Sequence, residues 1–133
     1  MARIRLLTGT LILLGVIHLA DHLFNQPERE IHAEVFVSAG LGWLALLATF
    51  FLASKEDRWA PGAALITGLA SASGFVLSHF VPHWGVLSDS FVGLGANWVT
   101  WTIAVLAVAT SLLLAFEGLR GLGMTLSGGD QGE

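Results

Sequence analysis

Four long apolar stretches, separated by short polar segments, dominate the pattern of this 133-residue chain. They cover residues 4–24, 33–53, 60–81 and 91–116. A helix that crosses the hydrocarbon core of a bilayer needs roughly 20 predominantly apolar residues, and each stretch reaches that length. The pattern therefore predicts an all-α integral membrane protein with four transmembrane helices.

The connections between these stretches are short, so consecutive helices are expected to lie side by side and antiparallel. The expected fold is an up-down four-helix bundle that forms one transmembrane domain over residues 1–120. The last segment, residues 121–133, is rich in glycine and ends in polar residues. We expect it to be a flexible C-terminal tail, because it has too little apolar surface to join a core.

The composition agrees with insertion into a membrane. Hydrophobic residues make up 54% and charged residues 12% of the chain, and the mean hydropathy is +0.73. A typical soluble domain carries about 25% charged residues. The formal net charge of -4 is small and dispersed, so no nucleic-acid partner is expected. The absence of cysteine excludes disulfides, thiolate-bound zinc and iron–sulfur clusters.

Most of the basic residues fall on one side of the predicted bundle. Five of the six Lys and Arg residues share that side, namely Arg3, Arg5, Lys55, Arg58 and Arg120. Cytoplasmic loops of membrane proteins carry an excess of such residues. We therefore expect a multi-pass protein of the cell membrane with both termini in the cytoplasm.

All five histidines fall at the opposite end of the predicted bundle, near its outer face. His18 and His22 close the first span, and His32 opens the second. His79 lies near the end of the third span, and His83 follows it in the loop. Because the inner half contains no histidine, this distribution indicates a site rather than a scatter of polar residues.

Helical spacing places part of this set on common faces. Residues at positions i, i+3 and i+4 share one helix face, so His18, Asp21 and His22 form a polar stripe. His79 and His83 have the same spacing, but the proline between them disfavours the helical state of the residue before it. His79 is therefore expected to be helical and His83 to lie in the loop. Ionisable side chains at these depths are expected to face the bundle interior, since facing lipid is unfavourable.

A metal site is the interpretation that this pattern favours. An H-x-x-x-H pair with a nearby carboxylate supplies ligands that suit zinc, copper or iron. The candidate ligands, in order of preference, are His18, His22, His79, His32 and His83, with Asp21 as a ligand or as a hydrogen-bonding partner of one.

Two other interpretations stay open. Two histidines on facing helices can hold a b-type haem, and His18 with His79 would be such a pair in an electron-transfer subunit. Imidazole titrates near neutral pH, so the cluster would also suit an accessory or transport subunit that responds to pH. A metal here could activate water or oxygen, yet no motif identifies a substrate or a nucleophile, so enzymatic activity is left undecided. The expected partners are the lipid bilayer and, for so small a bundle, further copies or the other subunits of a membrane complex.

Overall fold

The computed structural model describes residues 1–25, 33–82, 85, 87–88, 90–92 and 96–128. These residues form α1 (Ala2–Asn25), α2 (Ala33–Ser54), α3 (Ala60–Phe75) and α4 (Trp98–Gly128). A short π-helix, Val76–Phe80, continues α3. The predicted all-α fold is confirmed, and the described part of the chain contains no strand.

All four helical stretches are long and apolar enough to cross a membrane. The qualifying segments are Ala2–Phe24, Val37–Ser54, Ala60–Phe80 and Trp98–Gly123. Their outward faces carry large apolar side chains, with Phe24 80% exposed and Ile66 71% exposed. Soluble monomers rarely expose such continuous apolar surface, whereas lipid chains would cover it. The fold therefore fits a multi-pass membrane protein.

The helices follow one another around the bundle. α1 packs against α2 and α4, and α3 packs against the same two helices, so α1 and α3 are diagonal to each other. Neighbouring helices are antiparallel: Asp21 near the end of α1 meets Thr100 near the start of α4, whereas Arg3 near the start of α1 meets Glu117 further along α4. α1 and the π-helix therefore end where α2 and α4 begin. We call this the histidine end. The other end, which carries the described Lys and Arg residues, is the basic end.

The closest helix pair is α3 with α4, where two glycines let the backbones touch. A Cβ atom added to Gly68 would lie 2.5 Å from the backbone nitrogen of Ala115. One added to Gly118 would meet the backbone nitrogen of Leu65, and would lie 2.6 Å from the carbonyl oxygen of Pro61. Small residues commonly allow such approaches between membrane helices. This contact makes α3 and α4 the most closely packed pair of the bundle.

The fourth helix begins later than the predicted span of 91–116. It starts at Trp98 because Asn97 caps it. The Asn97 Oδ1 atom accepts hydrogen bonds from the backbone N–H groups of Val99 (2.8 Å) and Thr100 (3.1 Å). Asparagine is among the preferred N-cap residues. The prediction of a start at 91 was wrong because it followed hydropathy, which does not register a cap.

The fourth helix also ends later than predicted. It continues to Gly128, so residues 121–128 of the expected flexible tail are helical. Gly121 lies against α3, where an added Cβ would be 2.9 Å from the Pro61 Cβ atom, so packing extends the helix past Phe116. Residues 129–133 lie outside the described part of the chain.

The third span ends close to the prediction. Helical geometry stops at Phe80, and Val81 has an extended backbone with φ -89° and ψ 131°. Val81 precedes Pro82, whose ring disfavours a helical conformation in the preceding residue. The break therefore leaves His79 inside the last helical turn.

Candidate metal centre

Three histidines from two diagonal helices converge at the histidine end. His18 and His22 project from the last turns of α1, and His79 projects from the π-helix. One ring nitrogen of each lies within 4.8 Å of the corresponding atoms of the other two. The Nε2 atoms of His18 and His22 are 3.2 Å apart. The structure thus brings together three of the five histidines predicted to form the site.

The local folding of each segment explains this convergence. His18 and His22 share a face of α1, and their ring centroids are 4.5 Å apart. The His79 ring meets the His18 ring edge to face, with centroids 4.8 Å apart. A π-helix widens the helical turn and is frequently found at functional sites. Here it carries His79, which is only 7% exposed, towards α1.

Aromatic rings form an apolar wall on one side of this cluster. The Phe75 centroid lies 5.4 Å from that of His18 and 5.6 Å from that of His79. The Phe91 ring stacks on the His79 ring, with centroids 4.4 Å apart and planes inclined by 20°. The hydropathy pattern predicts only that Phe91 starts the fourth span, and no local pattern could reveal its contact with a residue on another segment.

Asp21 lies on the same stripe but turns towards α4. The residue is 5% exposed, and its Oδ2 atom accepts a hydrogen bond of 2.7 Å from the hydroxyl of Thr100. Asp21 is not a member of the convergent group of ligand atoms. Its position therefore fits the predicted supporting role better than that of a direct ligand.

One nitrogen of the cluster is buried without a partner. The Nδ1 atom of His18 makes no hydrogen bond with any described residue. Buried polar atoms of native proteins almost always bind a protein group, a water molecule or an ion. This Nδ1 atom is the ring nitrogen other than the Nε2 atom that faces His22, so an ion held at Nε2 would leave it without a partner.

The described Lys and Arg side chains lie at the other end of the bundle from Asp21, and Arg3 and Arg120 each contact Glu117 there at 3.1 Å. Asp21 is a buried acidic residue at the histidine end. The hydrogen bond from Thr100 lowers the free-energy cost of burying its carboxyl group.

The two remaining histidines cannot be placed beside this cluster. His32 and His83 lie outside the described residues. Their membership in the site stays a prediction.

The paired arrangement expected for haem differs from the one observed. Axial ligands bind opposite faces of a porphyrin, so its plane must pass between them. The His18 and His79 rings instead contact each other edge to face at 4.8 Å. Their contact leaves no slot for a porphyrin.

No protein-family model, curated protein or solved structure matches this chain. Fold alone does not define function, so the functional conclusion has to come from the chemistry of the site.

Proposed function

We propose that this chain is a small integral membrane protein that binds one metal ion through His18, His22 and His79. The observation that carries the proposal is the convergence of three imidazole nitrogens within 4.8 Å inside an apolar bundle. Imidazole ligands suit zinc, copper and iron, which are the candidate ions.

The spacing of the α1 pair supports this assignment. Zinc binds histidine nitrogen at ~2.0–2.1 Å, so neighbouring ligands of a tetrahedral ion lie roughly 3.3 Å apart. The Nε2 atoms of His18 and His22 are 3.2 Å apart. Both could bind one ion without movement of the α1 backbone, while His79 would complete the set from the diagonal helix.

A hydrogen bond between two neutral imidazoles would have the same length, so a structural polar network is the competing interpretation. One observation favours the ion. A hydrogen bond joins only two imidazole rings, whereas ring nitrogens of three histidines lie within 4.8 Å of one another.

With three protein ligands, a tetrahedral ion would keep one position for water or another small ligand. Catalytic zinc sites have this arrangement, whereas structural zinc sites have four protein ligands. Such an ion can make bound water a nucleophile or polarise a substrate oxygen. The site is therefore suited to metal-dependent chemistry as well as to storage or transfer of the ion.

We also propose that the chain spans the cell membrane with both termini in the cytoplasm. The support is the collection of described Lys and Arg residues at the basic end, which is typical of cytoplasmic loops. The metal centre would then lie near the outer face.

The test is a metal assay of the full-length protein, purified in mild detergent without chelators. Mass spectrometry should find close to one zinc, copper or iron ion per chain in the wild type. His18→Ala and His79→Ala should each lose it. Leu19→Ala is the matched control, because this neighbour of His18 is 43% exposed on the outward face, and it should retain the ion.

A visible spectrum separates the remaining interpretations. A Soret band that disappears in His18→Ala would show that the cluster binds haem b and not a metal ion alone. It would support the interpretation of the chain as an electron-transfer subunit. If the protein contains neither metal nor haem under non-stripping conditions, both ligand proposals are refuted. A structural or pH-responsive network of histidines would then be the remaining interpretation. Loss of metal in Leu19→Ala as well would mean that the losses in the histidine variants do not locate the ion at these ligands.

A further inference from the structure

We propose that Phe91 is a positioning residue of the metal centre, which holds His79 where its ring nitrogen meets those of His18 and His22. This inference rests on the proposed metal binding. His18 and His22 share one helix, so their relative position is set by α1. The position of His79 depends on contacts with other segments, and Phe91 makes such contacts.

His79 lies at the end of a helix, where few backbone hydrogen bonds hold it. It is the second-last residue of the π-helix, and the backbone is extended at Val81. Carbonyl groups in the last turn of a helix have no partner within that helix. A ligand in such a turn needs support from outside the helix if its position is to be fixed.

Phe91 supplies this support first through its backbone. Its N–H group donates a hydrogen bond of 2.9 Å to the carbonyl oxygen of His79. This bond connects the segment before α4 directly to the ligand residue. It is possible because α4 begins only at Trp98, which leaves Phe91 outside the helix.

The side chain of Phe91 adds a second restraint. Its ring lies nearly parallel to the imidazole of His79, with an inclination of 20° and centroids 4.4 Å apart. The lone pair of a ring nitrogen lies in the plane of the ring. By holding that plane, Phe91 limits the directions in which His79 can offer its lone pair to an ion.

Phe91 is itself held from α4. It is 2% exposed, and its ring meets that of Trp101 at 5.5 Å between centroids. Phe80 makes a very similar contact with Trp101, at 5.2 Å. Phe80 therefore offers a matched control, because its replacement removes a ring from the same Trp101 without removing the stack on His79.

The test uses the full-length protein in mild detergent, stripped of metal and titrated with Co²⁺, whose visible bands report coordination geometry. Phe91→Leu keeps the backbone N–H group and removes the flat ring. It should weaken Co²⁺ binding by about tenfold or more and shift the visible bands. Phe91→Tyr retains a flat ring and should restore the wild-type affinity and spectrum. Phe80→Leu should bind like the wild type.

Wild-type affinity and spectrum in Phe91→Leu would overturn the inference, as would an equal loss in Phe80→Leu. Should Phe91→Leu fail to give monodisperse protein, Phe91→Met fills similar volume without a ring and is judged by the same criteria. If wild-type protein shows no Co²⁺ site that His18→Ala removes, the proposed function and this inference both fail. A site that His18→Ala removes but Phe91→Leu leaves unchanged refutes the role of Phe91 alone.

Discussion

The hydroxyl of Thr100 donates a hydrogen bond of 2.7 Å to the Oδ2 atom of Asp21, and both side chains are buried. This contact joins α1 to α4 at the level of the histidine cluster. A buried carboxyl group is strongly unfavourable unless it is hydrogen-bonded or paired. Thr100 therefore stabilises the helix that carries two of the three proposed ligands.

Replacement of Thr100 by valine should destabilise the bundle. Valine keeps the shape of threonine but leaves Asp21 without this donor, so the free energy of unfolding should fall by about 1–3 kcal/mol. Denaturant or thermal unfolding in detergent measures the change. Thr102→Val is the control, because the hydroxyl of this exposed residue bonds only to the carbonyl of Trp98 on its own helix. Equal effects of the two variants would contradict the role given to the Thr100 contact.

Metal binding should raise the stability of the folded protein. The ion would connect α1 with the diagonal π-helix, a connection that the unfolded chain lacks. At a free ion concentration 100 times the Kd, the gain is about 2.7 kcal/mol. The melting temperature of wild-type protein should therefore rise on addition of Zn²⁺, and that of His79→Ala should not. A similar rise in both proteins would show that the ion binds elsewhere.

The glycines between α3 and α4 should tolerate no side chain. Gly68→Ala would place a Cβ atom 2.5 Å from the backbone of Ala115, where no flexible group can give way. The expected loss is about 1–3 kcal/mol or more, measured as a lower midpoint of unfolding. Gly74→Ala is a control on the same helix, since nothing lies within 4 Å of its added Cβ. It should leave stability unchanged or increase it slightly, because alanine favours helix over glycine.

The ion pairs at the basic end should contribute little. Glu117 contacts Arg3 and Arg120 at 3.1 Å each, but the Arg3 side chain is 72% exposed. Exposed pairs are typically worth less than about 1 kcal/mol and weaken in salt. Glu117→Gln should therefore change the unfolding midpoint only slightly. A large loss that persists in high salt would show that Glu117 has another function at this end.

The orientation can be tested with a reporter fused to the C-terminus. An enzyme that is active only outside the cytoplasm should be inactive there, whereas a cytoplasmic fluorescent reporter should be bright. The expectation follows from the Lys and Arg residues at the basic end. The opposite result would place the histidine end in the cytoplasm and reverse the proposed access to the metal centre.

Hydropathy and helical spacing predicted the parts of this fold that depend on a single segment. The apolar runs located the four helices, and Pro82 located the end of the third. The i, i+4 spacing placed His18 and His22 on one face, and the depth of His79 indicated that it would be helical. Each of these conclusions depends only on the length, hydropathy and residue spacing of a single helix.

Contacts between segments distant in sequence could not be predicted in this way. Gly118 became important only because it faces Leu65 on α3, and Thr100 because it faces Asp21 on α1. The start of α4 depended on the cap provided by Asn97 rather than on hydropathy. The stacking of Phe91 on His79 could not be predicted for the same two reasons. It depends on the late start of α4, and it joins two segments that are not in one helix.

The π-helix at Val76–Phe80 has a consequence for the rotational phase of the helix that carries His79. A π-helix contains one residue more per turn than an α-helix, and one residue of an α-helix corresponds to about 100° of rotation. If the same five residues relaxed to a regular α-helix, the residues beyond them would therefore turn by about that angle relative to α1. The conformation of one helical turn thus sets whether the third histidine faces the other two, while the contact between α3 and α4 stays intact.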